Sequence, residues 1–96
     1  MDHVLYSAIS AKNLIRFYYD GGFRIVEPFC YGRGKSGNDL LRGYQVDGHS
    51  NSGHPAWKLF NVSKISNLSV TDKGFNNIRP HYNPQDSAMK YIYCCV

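Results

Sequence analysis

The strongest local constraint in this 96-residue chain is a turn between two stretches that favour extended backbone. Leu14-Ile15-Arg16-Phe17-Tyr18-Tyr19 and Phe23-Arg24-Ile25-Val26-Glu27-Pro28 are rich in β-branched and aromatic side chains, and Asp20-Gly21-Gly22 stands between them. Two such runs around a Gly-rich turn form a β-hairpin. Successive strand residues point to opposite faces, so one of Tyr18 and Tyr19 belongs to the core; the register decides which.

Upstream of the hairpin, Val4, Leu5, Ala8, Ile9 and Ala11 recur at three- and four-residue spacing, which predicts an amphipathic helix over residues 2–12 with Asp2 as its cap. Downstream, Pro28 cannot donate to a ladder, so it belongs at an edge or a bulge. Residues 31–38 read as a polar loop carrying Arg33 and Lys35, residues 39–46 as a third strand, and residues 47–55 as a second loop. A fourth strand is expected over 57–62, a short turn over 63–66, and a fifth strand over 67–71 ending at Asp72-Lys73-Gly74. Helix plus five short strands fits a small barrel, whose closure would remove the sheet edges. After Phe75 come Asn76, Asn77, Pro80, Asn83 and Pro84, which interrupt regular structure, yet this tail also holds Tyr82, Met89, Tyr91, Ile92 and Tyr93. That is too much apolar surface to leave in water, so the tail should pack on the body or on a second copy. Its end permits either a helix from Ser87 capped by Asp86 or a strand with Tyr91, Tyr93 and Cys95 alternating. The chain therefore divides into a barrel domain, 1–75, and an aromatic tail, 76–96.

Composition excludes several classes. No apolar run reaches the roughly 18 residues of a spanning helix, and the first residues lack the charged and apolar regions of a signal peptide, so a cytoplasmic protein is expected. The three cysteines, Cys30, Cys94 and Cys95, are an odd set without C-x-x-C spacing, which suits neither a disulfide framework nor a zinc site. A buried Cys30 and two plain tail thiols are expected, and a redox role would need a depressed thiol pKa. His49 and His54 flank a Gly-Ser loop and His81 lies in the tail, none with a nucleophile or carboxylate at a telling spacing, so no enzyme, metal or cofactor is expected. Gly32-Arg33-Gly34-Lys35-Ser36-Gly37 fails the G-x-x-x-x-G-K-[ST] spacing of a phosphate loop and reads as a cationic loop. A net charge of +4 favours an anionic partner mildly.

Residues 9–75 resemble a WYL domain in the order and spacing of their motifs. The match runs from the helix through Phe17-Tyr18-Tyr19, Arg24 and Glu27-Pro28 to Leu40-Leu41-Arg42-Gly43-Tyr44, Trp57-Lys58-Leu59-Phe60 and Lys64-Ile65. The Trp-Tyr-Leu that names the family falls on Asp39-Leu40-Leu41, keeping only the leucine, and the arginine usual in the fourth strand is Lys58. The resemblance implies a mainly β, Sm-like or SH3-like five-stranded barrel that senses a nucleotide, nucleic acid or similar anion. Relatives of that kind are bacterial regulators, often linked to phage defence. They carry a helix-turn-helix, for which the dozen residues before the first strand leave no room, so their DNA-binding output is not carried over.

Alternation puts Leu40, Arg42, Tyr44 and Val46 on one face of the third strand and Lys58, Phe60 and Val62 on one face of the fourth. A cation beside rings suits a phosphate with a stacked base, so Arg42, Tyr44 and Lys58 are the leading ligand-binding candidates, widened by Arg24, Tyr18, Arg33 and Lys35. The alternative is a protein-interaction or homo-oligomeric module with no small ligand, paired through edge strands or the aromatic tail.

Overall fold

The computed structural model describes residues 2–49, 56–76 and 79–96. The helix α1 spans Asp2–Ala11 and is followed by β1 (Asn13–Tyr19), β2 (Gly22–Gly34), β3 (Asp39–Gly48), β4 (Ala56–Asn61), a 3-10 turn (Val62–Lys64), β5 (Ser66–Gly74) and β6 (Met89–Cys95). The expected cap by the Asp2 side chain lies outside what is described, as do most of the 47–55 loop with His54, and residues 77 and 78 of the tail.

The β1–β2 hairpin forms as its sequence demands. Tyr19 pairs with Gly22 across Asp20 and Gly21, whose φ values of 45° and 97° match the left-handed turn that suits strand twist. Tyr19 is the core-side tyrosine: its ring meets Phe60 at 5.0 Å, while Tyr18 is 40% exposed on the other face.

The strands form one antiparallel sheet in the order β4-β3-β2-β1-β5, with β6 added on β2. The sheet is not closed into a barrel, so β4 and β5 remain its ends. The long β2 is its spine. Residues 22–26 pair with β1, residues 30–34 pair with β6, and β3 runs along the opposite edge from Arg24 to Arg33. Pro28 sits beside the expected bulge, where the register shifts between Pro28 and Cys30.

Residues 31–34 are therefore strand rather than loop; the loop shrinks to residues 35–38, closed by Gly34 N donating to Asn38 O at 2.8 Å. Two ladders, on β3 and β6, absorb backbone groups that polar, Gly-rich sequence had suggested were solvated. Gly32 makes this possible, because a Cβ there would collide with the Tyr91 carbonyl oxygen of β6 and come within 2.8 Å of Met89 Sδ. β5 likewise extends through Gly74, and the tail ends as strand, not helix.

The core lies between α1 and one face of the sheet: Leu5, Ala8 and Ile9 of the helix meet Ile15, Phe17, Val26, Tyr31, Leu41 and Phe60. Phe17 packs edge-on to Phe60 at 5.0 Å. Each fully buried ring of this kind contributes roughly 1.5–3 kcal/mol.

Cys30 is buried as expected, but the expectation of three unpaired thiols is overturned. Cys30 and Cys95 form a disulfide across the β2–β6 ladder, with Cα atoms 4.2 Å apart, and Cys94 is the free thiol. Cys30 and Cys95 are register partners, a proximity set by a strand pairing that cysteine spacing does not reveal. No helix among the described residues is long and apolar enough to cross a membrane.

Candidate ligand-binding site

On the face away from α1, residues 79–88 form a strap across the sheet. The ring of Phe29 meets Trp57 at 4.8 Å, Phe75 at 5.3 Å and Tyr82 at 4.9 Å. Trp57 Nε1 donates to Pro80 O at 2.7 Å, and the Tyr82 hydroxyl donates to Val96 O at 2.8 Å. Two ion pairs pin the strap. Arg79 grips the buried Glu27 carboxylate with two bonds of 2.8 Å and lays its guanidinium over Tyr44 at 4.2 Å. Arg42 grips Asp86 with bonds of 2.6 and 3.2 Å.

Between Arg42, Trp57, His81, Asn83, Asp86 and Ser87 lies a cleft of about 270 Å³. Its cation is already committed to a buried carboxylate. The Arg42 guanidinium holds the Asp86 carboxyl below its usual range, against the opposing effect of burial. Because the folded carboxyl titrates below the unfolded one, the unfolded chain takes up the proton first as pH falls. The clamp therefore contributes fully above the ordinary value near 3.8 and is lost as pH drops through the lower folded value. Stability is expected to fall below about pH 4, and Asp86→Asn should flatten this acid limb in urea melts run as a pH series. An unchanged limb would show that other carboxylates control it.

The groove expected from Arg42, Tyr44 and Lys58 does not assemble. Tyr44 pairs with Trp57 and Arg42 with Leu59, whereas Lys58 pairs with Gly43. Cross-strand partners share a face, so Lys58 stands with Leu41 and Phe60 on the opposite side of the sheet. Tyr44 is covered by Arg79, and its ring meets Trp57 at 5.5 Å. Arg24, expected at the groove's margin, is 5% exposed; its Nε donates to Tyr19 O at 3.2 Å and its Nη1 to Gln45 Oε1 at 3.4 Å. Tyr18 stands on the opposite face of the hairpin from Arg24, edge-on to Phe23 at 5.5 Å, and the Phe23 ring in turn lies under the Arg16 guanidinium.

Arg33 is a half-exposed sequence-derived candidate that faces a pocket. It pairs with Asp39 across the β2–β3 ladder and shares the α1 side of the sheet with Tyr31. With His3 and Tyr6 of α1 and Tyr93 of β6, these residues line a pocket of about 360 Å³. The Asp39 carboxylate orients two walls, accepting from the Tyr31 hydroxyl at 3.2 Å and the Tyr93 hydroxyl at 2.9 Å; the two rings lie 4.8 Å apart. Partial burial and the hydrogen-bonded Asp39 carboxylate push the Tyr93 hydroxyl up, while the neighbouring Arg33 guanidinium pulls it the other way.

The Arg33 side chain is 51% exposed, with Nε 3.8 Å from Asp39. Exposed pairs of this kind are worth about 0–1 kcal/mol, so turning the Arg33 guanidinium from Asp39 toward an incoming anion costs little, while Asp39 stays in the wall on the two tyrosine hydroxyls. The bidentate Arg42–Asp86 pair would leave a buried carboxylate behind, a cost of several kcal/mol. A second groove, of about 470 Å³, shares Arg33 and Asp39 and continues past Gly37, Asn38 and Ser63; exposed Lys35 lies in its bounding turn. Tyr6, Tyr31, Asp39 and Tyr93 were not distinguished by sequence as site residues. The signal available was the count of eight tyrosines, without the long-range pairing that gathers three of them.

No protein-family profile, curated protein or solved structure matches this chain.

Proposed function

We propose that this chain is a WYL-like module of the Sm or SH3 type that captures a nucleotide or the end of a nucleic-acid single strand without catalysing a reaction. In this reading it works in the cytoplasm as a regulator or defence protein. The observation that carries it is the half-exposed Arg33 guanidinium in a pocket walled by Tyr6, Tyr31 and Tyr93. The guanidinium takes the phosphate through paired N–H donors, with His3 beside it. Tyr6 and Tyr93, 52% and 39% exposed, offer ring faces to a base, an interaction worth roughly 1–3 kcal/mol per base. Lys35 then lies where a second phosphate would follow.

Adenosine monophosphate and a short labelled oligothymidylate are the probes. Arg33→Ala should weaken both by about tenfold or more, as expected for loss of a charge-assisted bond of 1.5–3 kcal/mol. Oligothymidylate affinity should also fall with salt at a slope of about −0.7 per phosphate neutralised. Equal binding by wild type and Arg33→Ala overturns this site. One observation favours assembly instead: β6 is paired on one side by β2, while Tyr91 and Ile92 are 60% and 40% exposed. Absence of binding together with a dimer in light scattering would favour that reading.

A further inference from the structure

The Arg33 pocket has one wall on a strand that a disulfide fastens. β6 carries Tyr93, and its C-terminal end is joined to β2 through Cys95 and Cys30. Arg33 and Tyr31 sit just past Cys30 on the same β2 segment, in register with Tyr91 and Cys94. β6 thus belongs to the pocket, and covalent attachment holds it there. The chain before β6 is an irregular strap rather than a tight hairpin, so once the bond opens β6 is held by its ladder on β2 and by the hydrogen bonds of Val96 with Phe29 O and the Tyr82 hydroxyl, with no short loop to fix its register.

We propose that the Cys30–Cys95 disulfide is a reversible fastener that sets whether the Arg33 pocket is assembled, so that a dithiol reductant opens it and oxidation closes it. This rests on the ligand-binding reading above for its functional consequence and on the β2–β6 pairing for its mechanics. Cys30 is fully buried and Cys95 half-buried, so a reductant thiolate reaches Cys95 Sγ first. It forms a mixed disulfide there and expels the Cys30 thiolate, which takes up a proton. The reductant's second thiolate then attacks its own sulfur in the mixed disulfide and releases Cys95, which is protonated in turn. Two electrons and two protons enter the protein, and the dithiol leaves as its cyclic disulfide. Cys94 does not interfere: burial pushes its thiol up, so it remains a poor nucleophile at neutral pH. On the cytoplasmic reading proposed above, such a disulfide is of the transient, redox-responsive kind.

The test uses the full chain with and without dithiothreitol. Thiol titration should count one reactive thiol in the oxidised protein and three after reduction, read under denaturing conditions. Amide hydrogen exchange over residues 89–95 should accelerate by about tenfold or more on reduction, and adenosine monophosphate affinity should fall with it. Cys95→Ser should behave as the reduced protein with or without dithiothreitol, and Cys94→Ser should keep the response. Unchanged exchange in β6 on reduction overturns the fastener, whatever the ligand does. Released β6 with unchanged nucleotide affinity overturns its control of the pocket. Released β6 with no nucleotide binding in either state supports the fastener and overturns the ligand reading instead.

Discussion

Phe29→Ala is expected to destabilise the protein by roughly 3–5 kcal/mol, the usual cost of emptying a fully buried aromatic site. The ring is 0% exposed and is the one on which Trp57, Phe75 and Tyr82 converge. Two consequences separate this from an ordinary core truncation. The cavity opens on the strap side of the sheet, so Trp57 fluorescence should change in the folded state. The strap should also lose protection in hydrogen exchange before α1 does. For a domain of this size the melting temperature should drop on the order of 15–30 °C. A loss under about 1 kcal/mol would mean that the strap contributes little packing to the sheet.

Plain alternation puts Phe29 with Glu27 on the strap face. The extra residue beside Pro28 then resets the strand, so that Tyr31 after it faces α1 as Val26 does before it. One strand therefore supplies both the main core and the strap's apolar seat.

What was legible in the sequence was local. The hairpin follows from Asp20-Gly21 and the flanking β-formers, and the helix from its apolar spacing, because both are decided by residues within a few positions of one another. The features that were misread depend on partners far along the chain. Tyr31 to Gly34 looked like loop because their β6 partners lie some sixty residues away. Asp86 does behave in part as a cap, accepting from Ala88 N at 3.0 Å. Its carboxylate is also held by Arg42, a distant partner, and the chain continues into a strand instead of a helix.

The site was only partly legible for the same reason. Alternation correctly put Arg42 and Tyr44 on one face of β3, but register places Lys58 on the other side, a one-residue difference that no single-strand pattern contains. Arg33 was identified as a cation of interest; its tyrosine walls come from α1, β2 and β6, which meet only in the folded chain.

Cys95→Ala is expected to cost about 4 kcal/mol under oxidising conditions, because the bond closes a loop with a sequence separation of 65 and a loop of that length restricts the unfolded chain by roughly this amount. Small domains have only about 5–15 kcal/mol in total, so this is a large fraction. The same midpoint should be reached by wild type in dithiothreitol, since both routes remove the one cross-link; agreement between them assigns the loss to the bond rather than to the missing sulfur. Cys94→Ala should stay within about 1–2 kcal/mol, the cost of a partly buried thiol with no covalent role. A wild type whose stability is indifferent to dithiothreitol would show that the two sulfurs are not joined in solution. The strap would then be held by non-covalent contacts, chiefly those of Phe29, Trp57, Arg79 and Arg42. The disulfide acts on the unfolded chain and those contacts on the folded one, so Cys95→Ala and Phe29→Ala should combine additively unless breaking the bond also loosens the strap. A penalty in the double variant smaller than the sum would therefore be independent evidence that the fastener and the strap form one mechanical unit.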